Sequence, residues 1–259
     1  MARVRPDDRQ SYEYTDASFT TDAVGYRPAA WSVPAADILQ EEVATRQALS
    51  LRLQLGVKRT IDIVGAAALL ILLAPLLVLA AIAIRLDSAG PICFNRPRSG
   101  KDGVPFVMYK LRTMHTDAEA RLAELQHLNA GGVYMIKIQD DPRITRVGRF
   151  LRASSIDELP QLINVLKGEM SLIGPRPQSP NEVALYTDEQ RRRLVVRPGI
   201  TGLWQVRDRH NPSFERWMLW DFTYIDSWSL WLDLTIALRT LAMIVVDIGR
   251  IVLRPLRRR

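Results

Sequence analysis

The feature that most constrains this chain is an uncharged apolar run over residues 63–84, made almost entirely of Leu, Ile, Val and Ala. As a straight helix, residues 61–84 would extend about 36 Å, enough to cross a hydrocarbon core of about 30 Å. Pro75 lies near the middle, where it removes a backbone donor and crowds the preceding turn, so each half is too short to cross alone. The run therefore predicts either a kinked spanning helix or a re-entrant hairpin that returns to the same leaflet. Its length disfavours a buried helix of a soluble protein.

The charges flanking the run favour re-entry. Lys58 and Arg59 precede it and Arg85 follows it, and positive residues on both sides suit two ends on one cytoplasmic face. The net charge of the chain is +7, although residues 1–57 are slightly acidic, so the basic excess lies on the apolar remainder. This distribution predicts a partner that carries phosphate: a lipid surface, a nucleotide or a nucleic acid.

Composition and periodicity predict an α+β fold: a mainly helical, membrane-associated domain with a small strand region and amphipathic interfacial helices. Residues 1–50 are interpreted as a disordered tail, with a short helix over 37–55. Strands and turns are expected over 91–113, and helices over 117–128, 159–166, 182–195 and 230–253, the last lying along an interface or packing on the domain. The arginine-rich end, 254–259, is expected among anionic headgroups. One cysteine and three separated histidines argue against a disulfide and a zinc site.

The most informative short stretch contains adjacent carboxylates, Asp157 and Glu158, followed by Pro160. A capping box that starts at Ser155 is one interpretation, but it places Pro160 one position too late for its missing N–H to be harmless. An N-cap at Asp157 puts the proline in the first turn of a helix. There the helix dipole favours ionised carboxylates and the free amides attract phosphate.

Such a pair could carry chemistry. A carboxylate of low pKa is a nucleophile toward phosphorus, and its neighbour can hold Mg²⁺ through oxygen. Simple helix capping is the alternative that these residues alone leave open.

Basic residues near the pair in sequence favour a phosphate site. Lys110 and Arg112 would share one face of a strand, Arg152 precedes the pair, and Arg176 lies in a rigid Gly-Pro-Arg-Pro turn. Surface salt bridges are the alternative role for such residues. Walker and dinucleotide glycine motifs are absent from the sequence, which excludes ordinary ATPase and Rossmann interpretations.

Aromatic residues are concentrated in the last third of the chain. A Pro-Gly turn at 198–199 followed by an edge strand would place Trp204 and Gln205 near a substrate, although packing of Trp204 in the core fits equally well. Four further tryptophans, at 217, 220, 228 and 231, suit either a membrane interface or a core.

These blocks together resemble a known family, the bacterial monotopic phosphoglycosyl transferases, which transfer sugar phosphates to polyprenyl phosphate. The resemblance covers about residues 56–250. The blocks that carry it are Lys-Arg-Thr-Ile-Asp at 58–62, the apolar run with its proline, Gly-Pro at 90–91, Lys-Leu-Arg-Thr-Met at 110–114, Asp-Asp-Pro-Arg-Ile-Thr at 140–145, Asp-Glu-Leu-Pro-Gln-Leu at 157–162, Asn-Val-Leu at 164–166, Gly-Glu-Met-Ser at 168–171, Gly-Pro-Arg-Pro at 174–177 and Pro-Gly-Ile-Thr-Gly at 198–202.

The resemblance implies a catalytic domain over 51–259 with a re-entrant helix at about 58–86, broken at Pro75. It implies an enzyme on the cytoplasmic face of the inner membrane that carries out the first membrane step of exopolysaccharide, capsule or glycoconjugate synthesis. Its substrates would be a UDP-sugar and undecaprenyl phosphate, with membrane lipid as a further partner and no nucleic acid. Oligomeric state stays open, a homo-oligomer included.

The resemblance also implies roles for single residues in a ping-pong reaction. Asp157 attacks the β-phosphate, UMP leaves, and the phosphosugar passes from Asp157 to the lipid. Glu158 is the Mg²⁺ ligand, Arg152 and Arg176 contact phosphate, and the remaining two basic residues, Lys110 and Arg112, assist.

A second hypothesis is a membrane-anchored basic adaptor that binds anionic lipid or nucleic acid. It predicts binding that weakens steeply with salt and is indifferent to Asp157 and Glu158. It gives no purpose to the ordered Asp-Glu-Leu-Pro and Gly-Pro-Arg-Pro blocks.

Overall fold

A computed structural model of the chain describes residues 35–129, 138–209, 211 and 213–253. The chain divides into two compact units, residues 1–48 and residues 49–259, and the second contains the chemistry-bearing blocks. Most of the predicted tail, residues 1–34, lies outside the described residues, as does the arginine-rich end at 254–259.

The described residues are mostly helical, with two small pairs of strands, which confirms the predicted mainly helical fold with a small strand region. The helices are α1 (Ala35–Asp87), α2 (Leu122–Leu125), α3 (Arg146–Ser154), α4 (Gln161–Lys167), α5 (Pro180–Ala184), α6 (Asp188–Arg191), α7 (Leu203–Arg207), α8 (Phe214–Asp226) and α9 (Leu230–Leu253). Short 3-10 turns occupy Lys101–Gly103, Gln126–Leu128, Ile156–Glu158 and Arg192–Val195.

The strands form two separate two-stranded sheets. β1 (Arg96–Ser99) pairs antiparallel with β2 (Pro105–Met108) as a hairpin, with Arg98 opposite Phe106. β3 (Ser171–Ile173) runs parallel to β4 (Gly199–Thr201), with Ser171 opposite Gly199. The second sheet matters for the site because the Gly-Pro-Arg-Pro turn leaves its first strand.

The apolar run forms part of α1, which continues through Pro75 and also includes the helix predicted over 37–55. The proline therefore does not end the helix. Residues 48–87 are long and apolar enough to cross a membrane, and the protein covers little of them. Ile71 and Leu72, for example, are more than two-thirds exposed, so the interpretation as a buried core helix is wrong. Such an apolar surface indicates membrane association.

Within the second unit, polar contacts connect α1 to the rest of the fold before and after the apolar run. Before it, the Asp62 carboxylate accepts hydrogen bonds from the Ser171 hydroxyl at 3.0 Å and the Leu172 amide at 2.9 Å. After it, the Asp87 carboxylate accepts one from the Val147 amide at 3.0 Å. Both ends of the run are thus held by the same unit.

Apolar contacts follow the same pattern along the helix. Ala66 packs in one buried cluster with Leu162 and Met170. Ala80 and Ile84 pack in a second, whose other members are Leu111, Leu151 and Ile156. The second cluster places the start of the acidic turn directly against α1.

Two helix predictions are only partly right. The segment 182–195 is divided because Ser179 with Glu182 and Thr187 with Gln190 each form a capping box that begins a new short helix. The segment 117–128 is helical only over α2 and the 3-10 turn that follows it.

The other two helix predictions are confirmed, and each has a clear physical basis. α4 ends at Gly168, whose φ of 85° suits a residue without a side chain. α9 buries Ile236 against the domain and leaves an apolar stripe exposed at intervals of three and four residues. The stripe consists of Trp231, Leu234, Leu238, Leu241, Val245 and Ile248.

Candidate active site

The acidic pair lies in the tight 3-10 turn Ile156–Glu158, between α3 and α4. Ser155 reverses the chain at the end of α3 with a positive φ of 58°. The predicted N-cap at Asp157 is wrong, because α4 begins only at Gln161. Leu159 and Pro160, which precede it, have right-handed helical torsions. The capping box from Ser155 is wrong as well, since its side chain makes no capping bond. The two carboxylates are therefore not used as helix caps.

Asp157 is buried, with only 2% of its surface exposed. The amide of Leu111 donates to the Asp157 carbonyl at 3.0 Å, which ties the turn to the segment carrying Lys110. The Lys110 ammonium lies 2.9 Å from Asp157 Oδ2 as an ion pair. Among the described residues, this oxygen has no hydrogen-bond partner of standard geometry. Asp157 thus presents a desolvated carboxylate oxygen that faces the Lys110 ammonium.

Glu158 is held by two cations through one oxygen. Its Oε1 lies 3.3 Å from the Lys110 ammonium and 3.0 Å from the Arg176 guanidinium. Lys110 therefore bridges both carboxylates. The structure thus brings Lys110 and Arg176 together at the acidic pair.

The environments of the two carboxylates shift their pKa values in opposite directions. Burial raises the pKa of Asp157 above its usual value, against the opposing charge of Lys110. Burial also acts to raise the pKa of Glu158, but the charges of Arg176 and Lys110 outweigh it and lower the pKa to about 2. The prediction of a depressed pKa is thus right for Glu158 and wrong for Asp157. Glu158 is a fixed anion, while Asp157 is the more basic group.

The turn that carries Arg176 is rigid for a reason visible in the second sheet. The Gly174 amide donates to the Thr201 carbonyl and the Gly199 amide to the Pro175 carbonyl, each at 2.9 Å. A side chain at Gly174 would have its Cβ only 2.6 Å from a backbone oxygen of the neighbouring segment, so glycine is required there. The predicted rigid turn is confirmed.

Three buried polar residues that the sequence analysis did not assign support this geometry. Asn164 accepts from the Tyr109 amide at 3.1 Å, which holds the segment next to Lys110 against α4. Arg193 donates to the Arg176 carbonyl at 2.9 Å and pairs with Asp221 at 2.5 Å. An asparagine within an apolar helix pattern is a sequence signal for a buried hydrogen-bonding role. Nothing in the sequence around Arg193 indicates that its side chain is buried.

The remaining two predicted phosphate ligands lie in different surroundings. Arg152 is exposed, donates from Nε to the Thr113 hydroxyl at 2.8 Å, and its charge acts on Asp157. Arg112 is 4% exposed and donates to the carbonyls of Ser88 and Ala89 at 2.8 and 2.6 Å.

The structure therefore does not bring Arg112 to the acidic pair. Strand alternation fails at this position, because β2 ends at Met108 and Leu111 forms only an isolated bridge with Cys93. The guanidinium of Arg112 instead holds the loop that follows α1.

The predicted neighbourhood of Trp204 differs as well. Trp204 lies in α7 rather than in a strand, and it stacks on Trp217 with ring centroids 4.9 Å apart. Both rings are buried, so core packing accounts for them. Trp231, in contrast, is 74% exposed on α9.

The donor set of the acidic pair suits Mg²⁺ bound together with a phosphate. In the described part of the chain, no three His, Cys, Asp or Glu side chains cluster closely enough to form a metal site of their own. Mg²⁺ commonly takes one or two carboxylates and completes its shell with water and substrate phosphates. Adjacent carboxylates fit that pattern, and Glu158 meets Lys110 and Arg176 through one of its two oxygens.

Comparison with known proteins identifies the group to which this chain is related. A galactosyl transferase, CpsE, from Streptococcus agalactiae is 44% identical over 193 residues, which cover 74% of this chain and 43% of that protein. A UDP-glucose:undecaprenyl-phosphate glucose-1-phosphate transferase from Caulobacter vibrioides is 46% identical over 71% of this chain and 67% of its own length. The exopolysaccharide production protein ExoY from Rhizobium meliloti is 36% identical over 74% of this chain and 87% of its own length.

The chain spans less than half the length of some curated relatives, such as CpsE, and most of the length of others, such as ExoY. The sequence profile of one family, described as bacterial sugar transferase, matches residues 53–247. That range contains α1 from its apolar run onward, the acidic pair, both strand pairs and most of α9. The chain belongs to the bacterial sugar transferase family.

Proposed function

We propose that this protein transfers a sugar 1-phosphate from a UDP-sugar to undecaprenyl phosphate, which yields undecaprenyl-diphosphate-sugar and UMP. The names of two relatives, the Caulobacter enzyme and an undecaprenyl-phosphate galactose phosphotransferase of Salmonella typhimurium, support these substrates. The observation that carries the proposal is the buried Asp157 carboxylate, which Lys110 approaches to 2.9 Å beside Arg176. Cations around a basic carboxylate provide both a nucleophile and charge to receive a diphosphate.

In the first half-reaction, a carboxylate oxygen of Asp157 attacks the β-phosphorus of the UDP-sugar. The new oxygen–phosphorus bond replaces the bond to UMP, which leaves with the electron pair. The charge of Lys110 favours the ionised form of Asp157 against the effect of burial, and burial limits the water around the carboxylate. An ionised, weakly solvated carboxylate is the reactive form.

In the second half-reaction, an oxygen of undecaprenyl phosphate attacks the same phosphorus. The bond to Asp157 breaks, and the carboxylate is regenerated. Arg176 and Lys110 are positioned to neutralise negative charge on the phosphosugar throughout. The charge of Arg152 also acts on Asp157 and contributes further positive potential.

Glu158 is the residue that would hold Mg²⁺, with its low pKa of about 2 ensuring that it is ionised at every physiological pH. When bound, Mg²⁺ supplies charge neutralisation of the diphosphate and of the departing UMP.

For the membrane, we propose a re-entrant path with the catalytic unit on the cytoplasmic face of the inner membrane. Asp62 and Asp87 are 25 residues apart, which corresponds to about 37 Å of straight helix. The contacts of both residues are nevertheless made to one unit, at Ser171 and Val147 respectively. A helix that crossed the bilayer would place these contacts on opposite sides. Bending at Pro75 within the membrane reconciles them.

Topology is tested by labelling single cysteines at positions 56 and 88 in a Cys93→Ser background, since Cys93 is exposed. A membrane-impermeant reagent should reach both positions from the cytoplasmic side only. Labelling of the two positions from opposite sides would refute re-entry.

The reaction is tested by measuring UMP release across a panel of UDP-sugars, with and without undecaprenyl phosphate. At least one UDP-sugar should release UMP in the wild type. Asp157→Asn, which preserves the shape of the side chain, should lower the rate by about 10⁴-fold or more, as loss of a covalent nucleophile does. Normal turnover in that variant would exclude Asp157 as the nucleophile.

A further inference from the structure

Arg98 lies on β1 beside the turn that carries Arg176. The amide of the next residue, Ser99, donates to the Gln178 carbonyl at 2.8 Å, so the strand runs along the Arg176–Gln178 segment. The Arg98 side chain is only 27% exposed. A second guanidinium thus lies near enough to the one that contacts Glu158 for their charges to interact.

The charge of Arg98 is poorly satisfied. Its nearest acidic partner in the described residues is Glu182, 3.9 Å away, and that carboxylate oxygen already accepts the Ser179 amide at 2.8 Å in the capping box of α5. The Arg98 Nε is buried, and none of the described residues accepts its hydrogen. Burial and then the charge of Arg176 lower the pKa of Arg98, which reports repulsion between the two guanidinium groups. Leaving such donors unpaired is costly unless an anion completes the site.

We propose that Arg98 and Arg176 form one phosphate subsite, which receives the α-phosphate of the UDP-sugar and then the phosphate of the polyprenyl acceptor. The proposal rests on the transfer reaction described above. Guanidinium groups match phosphate oxygens through paired hydrogen bonds, which suits a subsite used by two phosphate ligands.

The shared use follows from in-line displacement. In phosphoryl transfer the attacking and leaving oxygens lie on opposite sides of phosphorus. With Asp157 on one side, UMP departs from the other, and the acceptor must enter from the side that UMP left. One pair of guanidinium groups therefore faces both phosphates in succession.

The electron balance shows where Arg98 contributes. In the first step the bond between Asp157 and phosphorus forms, and the electron pair of the broken bond goes to an oxygen of UMP. In the second step an acceptor oxygen bonds to phosphorus, and the Asp157 carboxylate recovers its electron pair. The phosphate in the subsite gains one negative charge in the first step and loses one in the second. A nearby guanidinium stabilises that charge.

The test uses the full-length protein with Arg98→Gln, Arg98→Lys and, as a matched control, Lys101→Gln in the exposed turn of the same hairpin. Three quantities are measured: the dissociation constant of UMP, the KM of the UDP-sugar for UMP release, and the KM of undecaprenyl phosphate for transfer. Arg98→Gln should raise all three by about 10-fold or more, the loss expected for a charged hydrogen bond. Arg98→Lys should lose less, and Lys101→Gln should stay within about twofold of the wild type.

Glu182→Gln separates ligand binding from a structural ion pair. Glutamine preserves the capping box but removes the only acid near Arg98 among the described residues, so UMP should bind as tightly as in the wild type or more tightly. Weaker UMP binding in Glu182→Gln, matching that of Arg98→Gln, would mean that the ion pair only maintains the fold and would overturn the subsite.

The remaining outcomes also distinguish the two proposals. An unchanged dissociation constant of UMP in Arg98→Gln overturns the subsite, and a change in only one of the two KM values overturns its shared use. If UMP binding falls in Arg98→Gln but wild-type protein transfers no phosphosugar from any UDP-sugar, the subsite stands and the proposed transfer fails. Thermal unfolding midpoints of all variants check that folding is unchanged.

Discussion

Two clusters of buried charge in this protein look similar and differ in how completely they are neutralised. At the core of the second unit, Arg193 and Asp221 form a one-to-one pair, each about 2% exposed and 2.5 Å apart. Around the turn at 156–158, Asp157 and Glu158 are approached by a larger number of cations. Lys110 and Arg176 contact them, the charge of Arg152 acts on both, and Arg98 lies near Arg176. The Arg193–Asp221 pair, the closed pair, has no net charge that a ligand could neutralise. The group of cations around Asp157 and Glu158, the open cluster, has an excess of positive charge.

The comparison suggests a general distinction for sites of this kind. A buried pair in which one cation faces one anion contributes to the shape of the fold, and here Arg193 also fixes the backbone of Arg176. A buried cluster with more cations than anions has positive charge that an anionic substrate can neutralise.

The largest effect on stability is expected from breaking the closed pair. Arg193→Met leaves Asp221 buried without its partner, which should lower the free energy of unfolding by about 3–5 kcal/mol. Arg192→Met is the matched control, because Arg192 pairs with Asp226 on the surface, where such a bridge contributes about 0–1 kcal/mol. Chemical denaturation of both variants measures the difference. Equal destabilisation would contradict the distinction between the pairs.

The largest effect on catalysis outside Asp157 is expected at the bridging cation of the open cluster. Lys110→Gln should slow UMP release by roughly 10²–10³-fold, the loss typical of one preorganised charge. It should also move the acidic limb of the pH–rate profile upward, because Lys110 lowers the pKa of Asp157 and its removal leaves the carboxylate protonated at higher pH. A rate profile of the variant that matches the wild type would show that Lys110 does not act on Asp157.

A smaller effect is expected on the pH dependence of the stability, through Glu158. Because its pKa in the folded protein is about 2, below the ordinary 4.5, its ion pairs stabilise the fold fully above pH 4.5 and this contribution is lost as pH falls toward 2. The shift corresponds to at most ~3 kcal/mol. Glu158→Gln should therefore be less stable than the wild type at pH 7, with the difference narrowing between pH 4.5 and pH 2.5. Unfolding curves at several pH values check this, and a difference that does not depend on pH would contradict it.

The sequence was informative about the parts of the site that depend on local motifs. Short motifs of consecutive residues were enough to single out Asp157, Glu158 and the turn that carries Arg176. The structure brings Lys110 to the two carboxylates, as predicted. Arg112 was assigned by strand alternation, which does not apply where β2 has already ended. Helix 182–195 was predicted as one element because its apolar spacing conceals two capping boxes.

Residues whose role depends on tertiary contacts could not be identified in this way. Arg98 and Arg193 look like ordinary basic residues in the sequence, and only the packing of β1 and of the Arg192–Val195 turn against the Arg176 segment gives them a role. The path of α1 is a related case, since Pro75 reads as a break while the helix continues through it. The roles of Arg98 and Arg193 and the path of α1 all depend on contacts between residues that are distant in the sequence.

The most direct test of the account is to look for the covalent phosphosugar itself. Wild-type protein incubated with a productive UDP-sugar in the absence of acceptor, then analysed by intact-protein and peptide mass spectrometry, should gain the mass of one sugar phosphate. That mass should map to Asp157, disappear on addition of undecaprenyl phosphate, and be absent from Asp157→Asn. UMP release without any such adduct, or an adduct on another residue, would contradict the role assigned to the buried carboxylate.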